Sequence, residues 1–474
     1  MIRQIVFTIA GLLLVVGKGL ADERAPTQKD PLFDEPSLAE ELADKSTLVG
    51  GWSFIHRNRT RRDESGNSNR FFDDLDHSTA QADVKFKSGW LWQQWGLNFS
   101  AFSALDLYID DDLPRNIENE FSFAGDRWSE ENSDAAENGV SVSRLVLKYR
   151  NQPKWFRVKA GYAPMHVPGI IGVNWSFQPG TYRGVQAKFI PKDWTITYAW
   201  ADQYKAPWYL KTQNFSRVNA WDEAPVSGGN RIDYIHALGA IYHPKHHTWS
   251  VAFSAGQSED YVDAYFFKVA NRWDWLDGVT ASYQFYGADS KDDPDYPLYD
   301  GLAWQQALTL SVTDQNWLYR LEFMATKAEG LGTYLPRLTR GYANSQGALE
   351  LWWDSRSDWN NDGEKALFAG VWYQFPAEWG LQGWQIGASG AYGWDAVRWV
   401  NHQEDSDAAK GEESAWNIDL GYTVSEGPWR GASIKLHYTH YRNHQDDLGS
   451  FYYANMFTSE RDLKLLLSVP FEVF

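Results

Sequence analysis

Apolar and polar residues alternate along most of the chain from Thr47 onward, which predicts β-strands with two unlike faces. In segment 317–323, apolar Trp317, Tyr319, Leu321 and Phe323 are separated by positions that include charged residues. In several such segments one face is apolar with aromatics at its ends, whereas the other carries full charges. The pattern predicts an all-β fold. The same period of two recurs over 156–162, 194–200, 249–255, 433–438 and 463–471.

Alternation alone does not separate a soluble β-sandwich from a membrane barrel, but the connections do. Short and long connections alternate, aromatics recur at strand ends, and the chain closes with an apolar-alternating segment and Phe474. We therefore predict a transmembrane antiparallel β-barrel of about 18 strands, with 16 as the alternative. Long loops at 163–182 and 327–362 should fold inward and constrict a water-filled lumen. The short turns are predicted near residues 93–94, 152–153, 191–192, 244–245, 272–273, 315–316, 376–377 and 427–428.

The first 46 residues differ from the remainder. Residues 1–21 combine Arg3, an apolar stretch over 5–16 and small residues before a cleavage point after Ala21, which indicates an export signal peptide. Residues 22–46 are acidic and contain three prolines, so we expect a flexible tail that is either a leader or a plug for the pore mouth. The barrel would then occupy residues 47–474.

Composition excludes several classes of protein. A mean hydropathy of −0.52 excludes a helical membrane protein, and the absence of cysteine removes disulfides and thiolate chemistry. A net charge of −18 argues against a nucleic-acid partner. No catalytic or cofactor motif is present, so we expect no enzymatic activity and no cofactor. Asp358, Asn360 and Asp362 copy half of a calcium loop, but Ala369 stands where a bidentate Glu is required, which favours a plain turn over a metal site.

Several blocks resemble a known family. Tyr162-Ala-Pro164, the segment Asn174–Gly184, and Asp358-Trp-Asn360 with Glu364 resemble the loop motifs of OprD-type outer-membrane porins. Segments 204–210, 281–287, 298–304 and 351–356 resemble the chitoporin subgroup more closely. The resemblance implies a bacterial outer-membrane channel that passes chitooligosaccharides passively into the periplasm. It also implies contact with lipopolysaccharide and a monomer or homotrimer.

Passage of a neutral sugar requires aromatic faces for the pyranose rings and polar groups for the hydroxyls, each binding weakly. Aromatic and charged residues of the two long loops and nearby segments meet that description. The alternatives are that the aromatics anchor lipid or pack loop cores, and that the charges only pin the loops. The candidate substrate-binding residues are Trp175, Phe177, Tyr182, Arg183, Asp202, Lys205, Trp208, Trp352, Trp353, Asp354, Arg356 and Asp358.

The charges expected inside the lumen have both signs, which favours a neutral solute, because a carboxylate channel would favour a one-signed basic ladder. Three rival functions stay open: an OprD-type channel for carboxylates or basic amino acids, a barrel-embedded outer-membrane hydrolase, and a soluble β-rich binding protein. The residues predicted to face the lumen are Arg157, Lys159, Arg320, Glu322, Asp419 and Lys435.

Overall fold

The computed structural model describes residues 45–61, 74–109, 121–123, 138–172, 176–217, 231–273, 278–291, 298–334, 337–339, 351, 355–445 and 459–473. Their regular structure is almost entirely β. The strands are β1 (Thr47–Arg61), β2 (Leu75–Lys87), β3 (Trp95–Ile109), β4 (Gly139–Arg150), β5 (Phe156–Ala163), β6 (Thr181–Phe189), β7 (Trp194–Lys205), β8 (Gln213–Ser216), β9 (Arg231–Ile232), β10 (Ile235–Tyr242), β11 (Trp249–Ser258), β12 (Val262–Arg272), β13 (Val279–Ser290), β14 (Ala303–Asp314), β15 (Trp317–Lys327), β16 (Lys365–Gln374), β17 (Trp384–Ala396), β18 (Trp399–Val400), β19 (Gln403–Glu404), β20 (Gly411–Thr423), β21 (Ser433–Asn443) and β22 (Glu460–Glu472).

Eighteen of these strands form a closed antiparallel barrel, as the alternation predicts. Each long strand pairs with the next one along the chain, and β7 pairs directly with β10 because β8 and β9 form a short side extension. The ring closes where β1 pairs with β22, from Val49 opposite Glu472 to Arg61 opposite Glu460. The alternative of 16 strands is wrong, and the eight predicted short turns are confirmed.

The two faces of the barrel wall follow the sequence alternation. In β15, Trp317, Tyr319, Leu321 and Phe323 are 40–44% exposed, whereas the intervening Glu322 is fully buried. Apolar side chains therefore point outward and polar ones inward, the arrangement of a barrel that lies in lipid and encloses a polar lumen. No described helix has the length and apolar character needed to cross a bilayer.

Aromatic pairs form a girdle at the short-turn end of the barrel. Trp317 begins β15 with its ring centroid 4.5 Å from that of Tyr373, and Trp194 begins β7 at 4.7 Å from Tyr242. The same pairing joins Trp384 to Tyr422 and Trp95 to Tyr149. Such rings are typical of the membrane–water interface, which confirms the prediction of aromatics at strand ends.

The predicted signal peptide (1–21) and most of the acidic tail (22–46) lie outside the described residues, as does Phe474. The signal peptide, the plug and the tail therefore stay predictions. The barrel strands run from Thr47 to Glu472.

Candidate functional site in the barrel lumen

The loop between β5 and β6 crosses the lumen, as predicted for segment 163–182. Val167, Ile170 and Ile171 are almost completely buried, and they join a large apolar cluster with the inward side chains of β6, β7 and β10–β12. Gly169, at a φ of 68°, brings the chain against the Phe266 ring, so a Cβ there would lie about 2.2 Å from that side chain. Apolar residues anchor this loop because they are removed from the water-filled pore.

The loop that leads into β16 also folds into the barrel. Ser355 Oγ accepts a hydrogen bond of 2.8 Å from Asn417 on β20, and the Trp359 carbonyl accepts one from Gln305 on β14. The Trp359 ring meets the Tyr441 ring edge-on at 6.3 Å. Segment 355–364 therefore contacts the inner wall on both sides of β15–β17, which confirms the second inward-folded constriction loop.

A pair of buried carboxyl groups joins this loop to the wall. Glu364 and Glu413 lie close enough to hydrogen-bond to each other, and each has a buried Oε1 that accepts no other hydrogen bond within the described part of the chain. Tyr441 donates to Glu413 at 2.5 Å, and Asn361 donates to Glu364 at 3.0 Å. Burial raises the pKa of Glu364, while hydrogen bonds from Glu413 and Asn361 act in the opposite direction. One proton shared between the two carboxyl groups would give both Oε1 atoms a hydrogen bond.

The candidate aromatics that the structure describes are packed. Phe177 lies 5.0 Å from Phe121 in a small cluster on β1 and β22, and Tyr182 lies 6.4 Å from Phe215. Trp208 is 1% exposed. Their rings form the solid part of the constriction, so in this conformation they present little open face to a solute. These three aromatic residues therefore pack loop cores, which was the alternative to sugar binding in the sequence analysis.

Arg183 and Asp202 occupy the outward face, which differs from their predicted place in the constriction. Arg183 lies between inward Tyr182 and Gly184 and shares its face with exposed Val185. A β-bulge between Arg183 and Gly184 aligns the guanidinium with the Asp202 carboxylate, to which it is hydrogen-bonded. This pair is a salt bridge on the outer surface at the long-loop end of the barrel and not a lumen contact.

Two other charged candidates lie inside the barrel. Lys205 is buried and donates a 2.7 Å hydrogen bond to Ser141 Oγ on β4, so it reaches across the top of β5 and β6. Arg356 donates to Glu460 on β22. Both contacts fit the alternative in which the charged side chains only hold the loops in place. Asp358 is half-buried next to Arg356 in the same loop, near enough to act electrostatically on Glu364. The four remaining candidates, Trp175, Trp352, Trp353 and Asp354, lie outside the described residues.

The half calcium loop is used as a structural turn. Asp362 accepts hydrogen bonds from the Ala328 amide at 2.7 Å and from the Trp399 indole at 2.9 Å, and Asn360 bonds to Thr333 and Tyr334. Nowhere in the described ranges do three His, Asp or Glu side chains gather closely enough to hold a metal ion. The oxygen atoms that a cation would need are therefore occupied by loop contacts.

The six lumen charges expected from the alternation lie on the inward face. Glu322 accepts from Arg320 and Thr309, and Asp419 accepts from His437 at 2.8 Å with Lys435 at 3.3 Å. Arg157 and Lys159 share their face with Ala163 on β5. This part of the prediction is confirmed, and the acids of the set lie in ion pairs.

A column of ion pairs follows the β1–β22 seam and was not predicted. Arg59 Nη2 lies 2.8 Å from Asp462 Oδ2, and Arg61 Nε lies 3.3 Å from Glu460 Oε2. The arginines alternate with outward residues on β1, as the acids do on β22. The signal was present as Arg-x-Arg-x-Arg over 57–61, but its acidic partner strand is about 400 residues away in the sequence.

A second unpredicted feature is a one-signed wall, which we call the basic strip. Six cationic side chains from β2, β4, β5 and β6 line one cavity of the lumen, and no carboxylate is among the described residues that line it. Lys148 Nζ lies 4.5 Å from the Trp90 ring, and Lys159 donates to the Pro164 carbonyl at 2.8 Å. The lumen is therefore not uniformly mixed in sign. The basic strip consists of Lys87, Arg144, Lys148, Arg157, Lys159 and Lys188.

Neutral hydrogen-bonding groups cover much of the remaining inner wall. They are hydroxyl and amide side chains on the inward positions of many strands, and groups of this kind can both donate and accept hydrogen bonds. Gln284 accepts from the Tyr286 hydroxyl, so part of this lining is preorganised. The buried inward members include Thr79, Gln81, Ser141, Ser143, Gln186, Thr197, Thr280, Ser282, Gln284, Gln305, Thr309, Ser311, Asn417 and Thr439.

Comparison with known proteins identifies relatives of this architecture. Residues 53–472 match the family model described as outer membrane porin, OprD family. A curated protein named Chitoporin, from Escherichia coli strain K12, is 37% identical over 453 residues, which cover 92% of this chain and 93% of the relative. Two solved structures share the fold. Acinetobacter baumannii OccAB1 has a TM-score of 0.71 at 14% identity, covering 93% of this chain and 100% of its own. Pseudomonas aeruginosa OpdK, solved with vanillate, has 0.70 at 15%, covering 91% and 100%.

Proposed function

Because this chain belongs to the OprD family of outer-membrane porins, we propose that its pore admits chitooligosaccharides to the periplasm by passive diffusion. The observation that carries the cargo is the 37% identity to Chitoporin, which extends over nearly the full length of both chains. The loops that constrict the lumen fall within the matched region.

The lumen chemistry supports a sugar as the solute. Hydroxyl and amide side chains such as the half-buried, inward-facing Asn98, Thr195 and Ser250 offer both donors and acceptors along the inner wall. A solute that must leave again requires many weak contacts and no single strong one. A wall of neutral groups supplies such contacts at successive heights of the barrel.

The sugar-contacting residues are part of the same proposal. Trp175, Trp352 and Trp353, with Asp354, belong to the loop segments that constrict the pore and would provide aromatic faces and a polar partner. Phe177, Tyr182 and Trp208 would form the packed support behind them. Lys205, Arg356 and Asp358 would border the opening, since all three contact or lie near the inward-folded loops.

Single-channel recording in planar bilayers tests the cargo. We expect chitooligosaccharides to interrupt the ion current in discrete steps, and maltooligosaccharides of equal length to do so much less. Equal block by the two series, or none by either, would contradict the proposal. Trp175→Ala and Trp352→Ala should shorten the blocked intervals, whereas Trp429→Ala, which removes a 65% exposed ring at the short-turn end, should leave them unchanged.

The basic strip favours a second candidate, a channel for carboxylates. Six cationic side chains that line one cavity would attract an anionic solute and raise its local concentration. Liposome swelling with a panel of neutral sugars, carboxylates and basic amino acids separates the two functions. Faster swelling with carboxylates than with chitooligosaccharides would favour this second candidate. The expectation of no enzymatic activity stays a prediction.

A further inference from the structure

One corner of the outward face collects positive charge at the long-loop end of the barrel. Alternation places Trp416 on β20, His440 and Arg442 on β21, and Arg461 on β22 on this face. His440 lies directly between Trp416 and Arg461 across the sheet. We call these four residues the outer basic patch.

The patch is partly preorganised. The His440 ring stacks on the Trp416 ring at a centroid distance of 5.6 Å and an angle of 7°. Tyr438, two residues before His440 on the same outward face, supports Trp416 with the rings 5.3 Å apart. The imidazole is therefore fixed beside the guanidinium of Arg461, while both arginines are exposed.

The positive charges of the patch face one another. Arg442 stands diagonally across the strand pair from Arg461, a position about 7–8 Å away in an antiparallel sheet. Arg461 and Arg442 therefore present two exposed guanidinium groups near enough to bind a single anion. No carboxylate in the described part of the chain pairs with Arg461. Its strand neighbours Glu460 and Asp462 point into the lumen, where they bond to Arg61 and Arg59.

Other outward cations near the same rim have acidic partners on their own surface. Arg183 bonds to Asp202, Lys291 to Asp263, and Lys365 to Asp395. On the patch side, the described outward acid of β20 is Glu412, whose carboxylate accepts from the Tyr392 hydroxyl on β17 at 2.7 Å. Arg461 thus stands apart from the paired cations of the rim.

Below the patch the outward surface consists of aliphatic and aromatic side chains. Ile418, Leu420, Leu436 and Leu467 are exposed in the rows that follow toward the short-turn end. A ligand that fills this site has an anionic head level with the arginines and hydrocarbon chains along the leucines. Lipid A, the phosphorylated lipid of the outer leaflet, has that shape and charge.

We propose that the outer basic patch binds one phosphate of lipid A, with Arg461 and Arg442 as its charge-assisted donors. Two guanidinium groups around one phosphate form hydrogen bonds about twice as strong as neutral ones. The flat Trp416–His440 stack would border the glucosamine ring that carries the phosphate. This site is separate from the lumen and does not depend on the cargo.

Native mass spectrometry of the detergent-purified barrel tests the site with defined lipids. We expect bisphosphorylated lipid A to bind and to raise the melting temperature, and lipid A without phosphates to bind roughly tenfold or more weakly. Arg461→Gln combined with Arg442→Gln should remove that preference. Lys291→Gln, a matched change at a paired rim cation, should preserve it.

Three results would overturn the proposal. Equal binding of the phosphorylated and phosphate-free lipids would show that only the apolar surface matters. An unchanged preference in the double variant would place the phosphate elsewhere. Loss of oligomers in the variant without loss of lipid would make the patch an interface between copies of the chain. Arg461→Lys keeps the positive charge and serves as the control for misfolding. This variant should retain part of the preference for phosphorylated lipid A.

Discussion

At Gly387 the barrel wall approaches a tryptophan ring more closely than any side chain would allow. Trp372, which is 2% exposed, lies flat over the inward face of β16 and β17. A Cβ on Gly387 would lie 1.8 Å from the Trp372 Cδ1 atom. The absence of a side chain at Gly387 therefore leaves the space that the indole of Trp372 occupies.

Gly387→Ala is expected to destabilise the barrel by about 1–3 kcal/mol, because either the indole or the strand must move to relieve the overlap. Gly390→Ala is the matched control on the same strand, since its Cβ would meet the Ala415 carbonyl oxygen at 3.1 Å and the Trp416 Cβ at 4.0 Å but would not overlap a ring. Thermal unfolding in detergent, followed by the gel shift between folded and heated forms, measures the difference. Equal melting temperatures for the two variants would contradict this account.

His166 gives a pH dependence on the acidic side. Burial in the β5–β6 loop, with the charge of Lys159, lowers the pKa of this imidazole to about 3. A folded pKa below the ordinary value of about 6.5 means that the neutral ring stabilises the loop above pH 6.5, and that this contribution declines as pH falls. We expect current noise from loop opening to grow between pH 6 and pH 4. His166→Gln should suppress that growth, and His243→Gln, at an exposed turn position, should not.

Individual residues mark the boundary of what the sequence could predict. Alternation placed Glu322 and Asp419 inside the barrel correctly, because a strand has only two faces. Closeness to the loops along the chain misplaced Arg183 and Asp202 in the constriction, because both occupy outward positions in the alternation of β6 and β7. Whether Phe177 and Trp208 are packed or open depends on loop folding, which has no period that a sequence pattern could reveal.

At the scale of elements, the strands were predictable and the loops were not. Aromatics at the start of β7, β11, β15 and β17 marked the membrane interface, and Pro or Gly marked several of the short turns. The basic strip escaped notice because its cations come from four strands. Their common sign appears only when neighbouring strands are placed side by side in register.

Segment 355–364 has its own pH dependence, opposite in direction to that of His166. Because burial raises the pKa of Glu364, the docked state is favoured at low pH and loses stability as pH rises through the raised value. Once both carboxyls are ionised, Glu364 and Glu413 repel each other, and Asp358 in the same loop adds to the repulsion. The other charges around the pair, Arg356 and Glu460, bond to each other.

Rising pH should therefore increase the open-state fluctuations that this loop controls. Glu364→Gln, whose amide can donate to Glu413 at any pH, should remove this increase. Glu412→Gln, a change at the outward neighbour of Glu413, is the control and should retain the wild-type profile. Single-channel noise recorded over a pH series from acid to alkaline measures the effect. A pH response that persists in Glu364→Gln would show that another group is responsible.

At the scale of the whole molecule, charge is distributed unevenly around the lumen. The acidic side chains on β15, on β20 and along the β1–β22 seam form ion pairs with basic side chains. The basic strip, in contrast, covers β2 and β4–β6. A cationic solute therefore meets one wall that repels it. The polypeptide as a whole is acidic, with a net charge of −18, so the sign of this wall does not follow from composition.

If the cargo is an oligosaccharide of chitin, removal of its acetyl groups should slow uptake. Deacetylated sugars carry ammonium groups, and the basic strip would exclude them several-fold relative to acetylated sugars at low salt, with a smaller difference at high salt. Lys159→Gln with Lys188→Gln should reduce this discrimination. Lys291→Gln, outside the lumen, should leave it intact. Equal swelling rates of proteoliposomes with the two sugars would contradict the prediction.

The seam between the first and last barrel strands makes the polypeptide suitable for circular permutation. Val473 donates a backbone hydrogen bond of 2.9 Å to Leu48, so the two ends of the barrel meet on the short-turn side. A brief glycine-rich bridge would span that distance, and a new break at the tight turn around 315–316 would interrupt no ladder. Because the strands form a closed ring, we expect a circularly permuted gene to encode the same barrel.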